Sequence, residues 1–276
     1  MNPESSPNPS KVHEIGHRGE HFTVPGIHIS EPSPQRTPVI YQAGASSRGI
    51  EFAAGNAEAI FVAAPTKTVL KGVVSRIRDA LEKAGRDRYS AKIYTLLTII
   101  TDETSEKANA KHEDYLQYAS DEGALVFMSG WMGIDLSQYD LDEPIGNVKS
   151  NAIQSTVANF QQAGDDGKEW KVRDIAKLGN IGGLGPRVVG SAAEVADFLQ
   201  EWVEDTDVDG FNLAYAITPG TFEDIVEFIV PELQRRGVYQ SEYAPGTLRH
   251  KLHGRGDRLP DEHKGATYRL RRNVKV

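Results

Sequence analysis

A parallel α/β fold is what this 276-residue sequence predicts, on three observations. Apolar runs of strand length alternate with helical patterns, the order expected of consecutive βα units around a parallel sheet. The helical patterns carry apolar residues at three- and four-residue spacing and open with capping side chains. Composition is that of an ordinary globular chain, 39% hydrophobic and 25% charged with Gly 26 and Pro 14, which excludes collagen, coiled-coil and wholly disordered classes. The four βα units that can be counted fit an open doubly wound sheet. They fit equally half of a (β/α)8 barrel, which needs eight units in about 250 residues.

The elements follow in order. Residues 1–11 are Pro, Ser and Asn with little to bury and read as a disordered leader. The folded domain spans 12–248, where residues 21–26 have the character of a hairpin arm. Residues 38–42 form a short β-rich run, followed by a turn of small residues and a helix through Ala57. Residues 59–63 are a second strand. Thr66 then caps a long helix with Val69, Val73, Val74, Ile77, Ala80 and Leu81 on one face. Residues 91–100 are a third strand. A helical insertion covers 101–190, with a polar helix at 103–118, an apolar stretch at 124–131, helical turns near 150–162 and 170–178, and a Gly-rich loop at 179–185 serving as hinge or linker. Ser191 and Glu194 form a capping box for a helix carrying Val195, Phe198, Leu199 and Trp202. Residues 210–215 are the fourth strand. Thr221 opens a last helix with Phe222, Ile225, Val226 and Ile229 on one side, which Pro231 kinks or restarts.

Charge and residue counts exclude several function classes. With no cysteine there is no disulfide scaffold, thiol nucleophile, iron–sulfur cluster or Cys-containing zinc site. Net charge is −8, which argues against nucleic acid as the partner. Residues 249–276 carry nine Lys/Arg against three Asp/Glu and read as a basic, solvated tail lying on an acidic body. No apolar stretch is long enough to span a membrane and the N-terminus has no signal-peptide core, so the expected setting is cytoplasmic.

The turn after the first strand is the segment best suited to chemistry. In Tyr41-Gln42-Ala43-Gly44-Ala45-Ser46-Ser47-Arg48-Gly49, Gly44 and Ala45 let an anion approach the backbone. Ser46 and Ser47 sit where a helix opens, with free N–H groups and the favourable end of the dipole. Arg48 adds a charged fork. An ordinary capped helix after a tight turn accounts for the same residues. His13-Glu14-Ile15-Gly16-His17 spells HExxH, but that zinc motif needs both His on one helical face, and Gly16 and Gly19 interrupt any helix here. No metal is therefore assigned. His112, His250, His253 and His263 lie in polar surroundings and read as surface or tail residues.

The run from Thr37 to Gly49 with Glu51-Phe52-Ala53-Ala54 and Ala57-Glu58-Ala59-Ile60-Phe61, the run Val208-Asp209-Gly210-Phe211-Asn212-Leu213, and Val230-Pro231-Glu232-Leu233-Gln234-Arg235-Arg236-Gly237 together resemble the bacterial luciferase-like flavin monooxygenases. The branch resembled is that of nitrilotriacetate, dibenzothiophene-sulfone and long-chain alkane monooxygenases. The resemblance runs over residues 13–252 and covers only the C-terminal half of the family pattern, its last four βα units. It implies a (β/α)8 TIM-barrel fold, reduced FMN supplied by a separate NAD(P)H:FMN reductase, and insertion of one oxygen atom from O2 into a small organic substrate. It places Ser46 beside the FMN phosphate, which agrees with the anion site of Gly44, Ala45, Ser47 and Arg48. The insertion matches an excursion that overhangs the barrel mouth in relatives. Phe127, Met128 and Trp131, with Met132, Phe160 and Trp170, then line a substrate pocket or form the insertion's own core. No catalytic residue is assigned. Four units leave open sheet edges, so a homo-oligomer is an expected partner state. The alternatives are a non-catalytic truncated barrel that binds a phosphate ligand or a partner, and, more remotely, an HExxH zinc hydrolase.

Overall fold

The computed structural model describes residues 12–28, 30, 32–147, 160 and 169–269. The leader at 1–11, most of the helical turns expected near 150–162 and the end of the basic tail lie outside the described residues. A short antiparallel hairpin, β1 (His17–Arg18) and β2 (Thr23–Val24), comes first. Five parallel strands follow: β3 (Tyr41–Ala43), β4 (Ala59–Val62), β5 (Lys92–Asp102), β6 (Arg187–Ser191) and β7 (Gly210–Ala214). They pair in the order β3-β4-β5-β6, with β7 also on β5.

Strand β5 has 11 residues and holds this sheet together. Its Tyr94–Thr98 stretch pairs with β7, and Thr98 to Asp102 pair with β6. Strand β6 is a fifth strand where sequence reasoning saw the end of the insertion. Strand β3 is shorter than the expected run at 38–42. Pro38 has no N–H to donate, and the Ile40 N–H is taken by the Glu58 carboxylate at 3.0 Å.

One face of the sheet is covered by helices. These are α1 (Ser47–Asn56), α2 (Lys67–Lys83) and α6 (Ala192–Thr206). Thr66 caps α2 through Val69 N–H, and the box of Ser191 and Glu194 caps α6, as the sequence predicts. Ile60, Val62 and Ile93 pack there against Val73, Ile77 and Trp202. Alternation along the strands sends Tyr41, Phe61, Tyr94 and Leu96 to the other face, where Tyr41 is exposed among the described residues. Tyr41 and Phe61 stack at 5.2 Å, and Phe61 meets Tyr94 at 6.0 Å.

The insertion carries α3 (Ser105–Leu116), α4 (Asp121–Met132) and α5 (Val172–Gly179). It has its own core of Met128, Met132, Leu136, Phe160, Val172 and Ile175. Its return to the sheet is made by glycine. A Cβ on Gly185 would lie 2.5 Å from Leu96 O, and one on Gly182 would strike the Thr98 side chain. The loop is thus pressed onto β5, which is neither a free hinge nor a slack linker.

The last helix is interrupted as Pro231 requires. α7 (Gly220–Asp224) passes into a π turn at Ile225–Ile229 and then α8 (Val230–Arg235). Val230 N–H reaches back five residues to Ile225 O. The extra residue changes the register, so Ile225 and Ile229 are buried while Phe222 and Val226, expected on the same face, are exposed.

The basic segment departs most from expectation. Arg249, in α9 (Leu248–His253), is 1% exposed, and its guanidinium grips Glu58 through Nε at 2.6 Å and Nη2 at 3.0 Å. The same group donates to the carbonyls of Gln35, Thr37, Pro38 and Asp257. Burial by itself would raise the Glu58 pKa, but Arg249 and the Ile40 N–H outweigh it and hold the carboxyl below its ordinary value. Leu259 and His263 are buried as well, so this part of the tail is folded onto the sheet's N-terminal rim. His263 Nδ1 accepts from Gly265 N–H and its Nε2 contacts Asn56 O, which fixes a neutral ring with the proton on Nε2. Among the described residues no helix is long and apolar enough to cross a membrane.

Three outcomes are expected. Arg249→Met should lower unfolding stability by about 3–5 kcal/mol in denaturant titration, because it leaves a buried carboxylate unpaired. Burial depresses the His263 pKa below 6.5, so the unfolded chain binds more protons as pH falls through that value. The melting temperature should therefore drop between about pH 7.5 and 5.5, and less steeply in His263→Gln. Gly185→Ala should destabilise the fold by about 1–3 kcal/mol and lift the insertion from β5, seen as faster amide exchange in the 181–188 loop.

Candidate functional site

Parallel strands deliver their C-terminal ends to one side of the sheet, and the turn after β3 opens there. Gly44 has φ 120, a conformation that side chains resist, and its N–H donates to Phe61 O at 3.2 Å. Ser46 follows in extended conformation as the N-cap of α1. Its Oγ accepts from Gly49 N–H at 3.1 Å, which establishes the capping role. The backbone N–H groups of Ser47 and Arg48, one residue further in, have no acceptor among the described residues, as first-turn donors must unless something outside the helix accepts them. Ser46, Ser47 and Arg48 are all exposed. Arg48 forms no ion pair among the described residues, so its charge stands free beside those donors.

This turn borders a cavity of about 280 Å³. Gly44 and Ala45 form its rim, Phe61 and Leu96 its floor, and Phe160 and Leu184 from the insertion its far wall. Asn212, on β7, is the one polar side chain among the described lining residues. Nothing ionisable lines it among the described residues, so that part of the wall offers no acid or base. Beside the floor, burial first, then the neighbouring Tyr41 and Asp209, pushes the Tyr94 phenol up to about 12. Burial also raises Tyr41. Both phenols therefore stay neutral across the working pH range.

The proposed substrate residues separate. Met128 is fully buried in the insertion core, against the backbone of Gly179. Phe127 and Trp131 are exposed, with their rings 4.2 Å apart. The Trp131 ring rests on Gly183. None of the three lines the cavity, whereas Phe160 does. Asn212 and Leu184 were missed in the sequence as cavity residues. The only signal for Asn212 was a polar residue inside an apolar strand.

The zinc motif fails on geometry. Residues 12–16 are not helical, His17 lies in β1, and among the described residues no three His, Asp or Glu could hold a metal ion. His253 and His263 are not surface residues either; burial lowers the pKa of both.

Comparison with known proteins shows what the chain is similar to. A family model described as luciferase-like monooxygenase matches residues 11–209. Dimethyl-sulfide monooxygenase of Hyphomicrobium sulfonivorans is 49% identical over 261 residues, which cover 94% of this chain and 54% of that protein. Long-chain alkane monooxygenase of Geobacillus thermodenitrificans is 43% identical over 263 residues, 95% of this chain and 55% of that protein. A crystal structure of riboflavin lyase with modified FMN and riboflavin matches with TM-score 0.80 at 34% identity, over 96% of this chain and 58% of that one. The chain spans about half the length of the curated relatives it matches. The family model nonetheless runs from before the hairpin to the start of β7, through the glycine turn and the whole insertion. On that extent of agreement, the chain belongs to the luciferase-like monooxygenase family.

Proposed function

We propose that this chain is the flavin-phosphate-binding half of a monooxygenase that works with reduced FMN and O2 on a small organic substrate. The observation that carries the reading is the pair of unengaged N–H groups at Ser47 and Arg48, set at the rim of an apolar cavity. Gly44, Ala45, Ser46 and Ser47 would hold the phosphate, with Arg48 adding charge. The residues fit such a group: a phosphate needs donors without acceptors, close backbone approach and a helix start, and all three occur together. Reduced FMN, when bound, supplies the electrons for activating O2.

The chain's own residues then have defined tasks. The rings of Phe61 and Phe160 would keep water from the cavity, with the neutral phenols of Tyr41 and Tyr94 lying beside Phe61 outside its lining. Asn212 can orient a ligand by its amide. The lining suits a substrate whose reacting part is apolar, and Phe160 and Leu184 are its proposed contacts, with Phe127 and Trp131 outside the cavity. In this proposal β3, β4, β5 and β7 are the last four strands of a (β/α)8 barrel, and β6 closes the insertion. The aromatic face of Tyr41, Phe61 and Tyr94 is then barrel interior. A separate reductase supplies the reduced flavin.

Because Ser46 is also a cap, its role is tested by a residue that keeps the cap. Ser46→Asp accepts from Gly49 N–H as serine does, but repels a phosphate. In anaerobic calorimetry the chain should bind reduced FMN at micromolar level. Ser46→Asp should weaken binding at least tenfold, about 1.4 kcal/mol, with an unchanged melting temperature. Absence of binding, or binding indifferent to Ser46→Asp, would overturn the reading. Binding without oxygenation on adding reductase and O2 would favour the non-catalytic alternative.

A further inference from the structure

The larger cavity lies at the opposite end of the sheet. It measures about 560 Å³ and opens between the turn leading into β5 and the C-terminal segment that Arg249 anchors. Its position at the N-terminal strand ends follows from Glu58 and Lys92, which precede and begin β4 and β5. It is remote in sequence and topology from the glycine turn, and nothing in the flavin reading uses it.

Its chemistry is that of an anion site. Five Lys or Arg side chains line it. Two are engaged: Arg249 by Glu58, and Lys92 by Asp209 at 2.9 Å. The other three, Arg86, Arg255 and Lys264, have no carboxylate within 4.0 Å among the described residues. Arg86 is the most enclosed of these. It donates only to neutral carbonyls, Ala54 O at 2.9 Å and Ser90 O at 3.4 Å, so no carboxylate touches it, and Glu58 acts on it only from a distance. Burial lowers its pKa accordingly. Two further polar atoms, Ser90 Oγ and His253 Nε2, are buried at this cavity with no hydrogen-bond partner. Buried polar atoms are nearly always paired, so both point to a group outside the protein. The acidic side chains do not fit a cation site. Glu58 is held by Arg249, Asp87 accepts from Tyr89 N–H at 2.8 Å, and Glu262 is exposed.

We propose that this cavity binds a phosphate-bearing small molecule, its phosphate set on Arg86 and reached by Ser90 Oγ, His253 Nε2, Arg255 and Lys264. A guanidinium with free N–H groups suits a phosphate in two-point contact, and a hydroxyl and an imidazole complete the donor set. The volume exceeds what a lone phosphate fills and lies in the range of small-metabolite sites.

Inorganic pyrophosphate is the probe. Calorimetry on the full chain at low salt should show binding here, told apart from any binding at the glycine turn by its persistence in Ser46→Asp. Affinity should fall at least tenfold, about 1.4 kcal/mol, in Arg86→Gln. Because Arg86 also ties two carbonyls, Arg255→Gln/Lys264→Gln is the second variant. Both residues are exposed and outside the core, so that chain should fold unchanged and lose a similar factor. Ser46→Asp should leave this binding intact, and the His253 imidazole signals should shift during the titration. No binding, binding abolished by Ser46→Asp, or binding indifferent to the Arg86 and Arg255/Lys264 variants would overturn the proposal.

Discussion

Strand β5 is the constraint on which the other parts depend. It pairs with β4 near its start, with β7 through its middle and with β6 at its end. A buried strand must satisfy every backbone N–H and C=O, and β5 does so by recruiting three neighbours over 11 residues. Its length decides where the insertion leaves and where it returns. Because the return strand adds to the C-terminal part of β5, the insertion is held over the same end of the sheet as the glycine turn. That is why Phe160 and Leu184 reach a cavity whose rim is made by residues 44–45.

The two ends of the sheet are built from different physics. At the C-terminal end, first-turn donors and apolar walls meet, with no ionisable group among the described lining residues. At the N-terminal end, a set of ion pairs lies beside cations of the larger cavity that are unpaired among the described residues. Arg78 reaches Asp209 at 2.8 Å and Asp207 at 3.3 Å, Lys92 shares Asp209, and Arg249 holds Glu58. These pairs join segments far apart in the chain: α2 to the start of β7, and α9 to the start of β4. A buried pair adds little net stability over an apolar substitute, but losing one partner is costly, so such pairs enforce one arrangement. The segment following Arg249 is thereby docked, and the cavity at that rim exists because it is docked.

Much of this was legible in the sequence where the signal is local. Thr66 and Ser191 act as the caps they resemble, and the spacing from Val69 to Leu81 marks the buried face of α2. The glycine turn was legible too, because a strand, small residues and a helix start are consecutive. Strand β6 was not. Five residues after a glycine-rich loop carry too little periodicity, and their identity as a strand comes from pairing with β5. Arg249 was hidden for a related reason. A run of basic residues reads as solvated, and only a partner 191 positions away shows that one of them is buried. The insertion aromatics failed on rotation: composition places Phe127, Met128 and Trp131 together, but the packing of α4 on α5 decides which turns inward. Met128 does, while the two rings face solvent.

The uncovered face of the sheet carries the same logic into the proposed barrel. A parallel sheet is ordinarily covered on both faces, because its strands are apolar on both. Here one face has α1, α2 and α6, and the other shows Tyr41, Phe61, Tyr94 and Leu96 partly exposed. Rings paired across neighbouring strands at 5.2 and 6.0 Å make a surface too apolar and too ordered for permanent contact with water. In a closed barrel that face becomes the packed interior, and the phenols, both raised by burial and neighbours and Tyr94 to about 12, stay uncharged inside it. The phosphate site proposed at the glycine turn would need no such closure, since its donors belong to one turn and one helix. On this proposal anion binding and barrel closure are separable: the first would rest on residues 44–48, and the second on what covers the aromatic face.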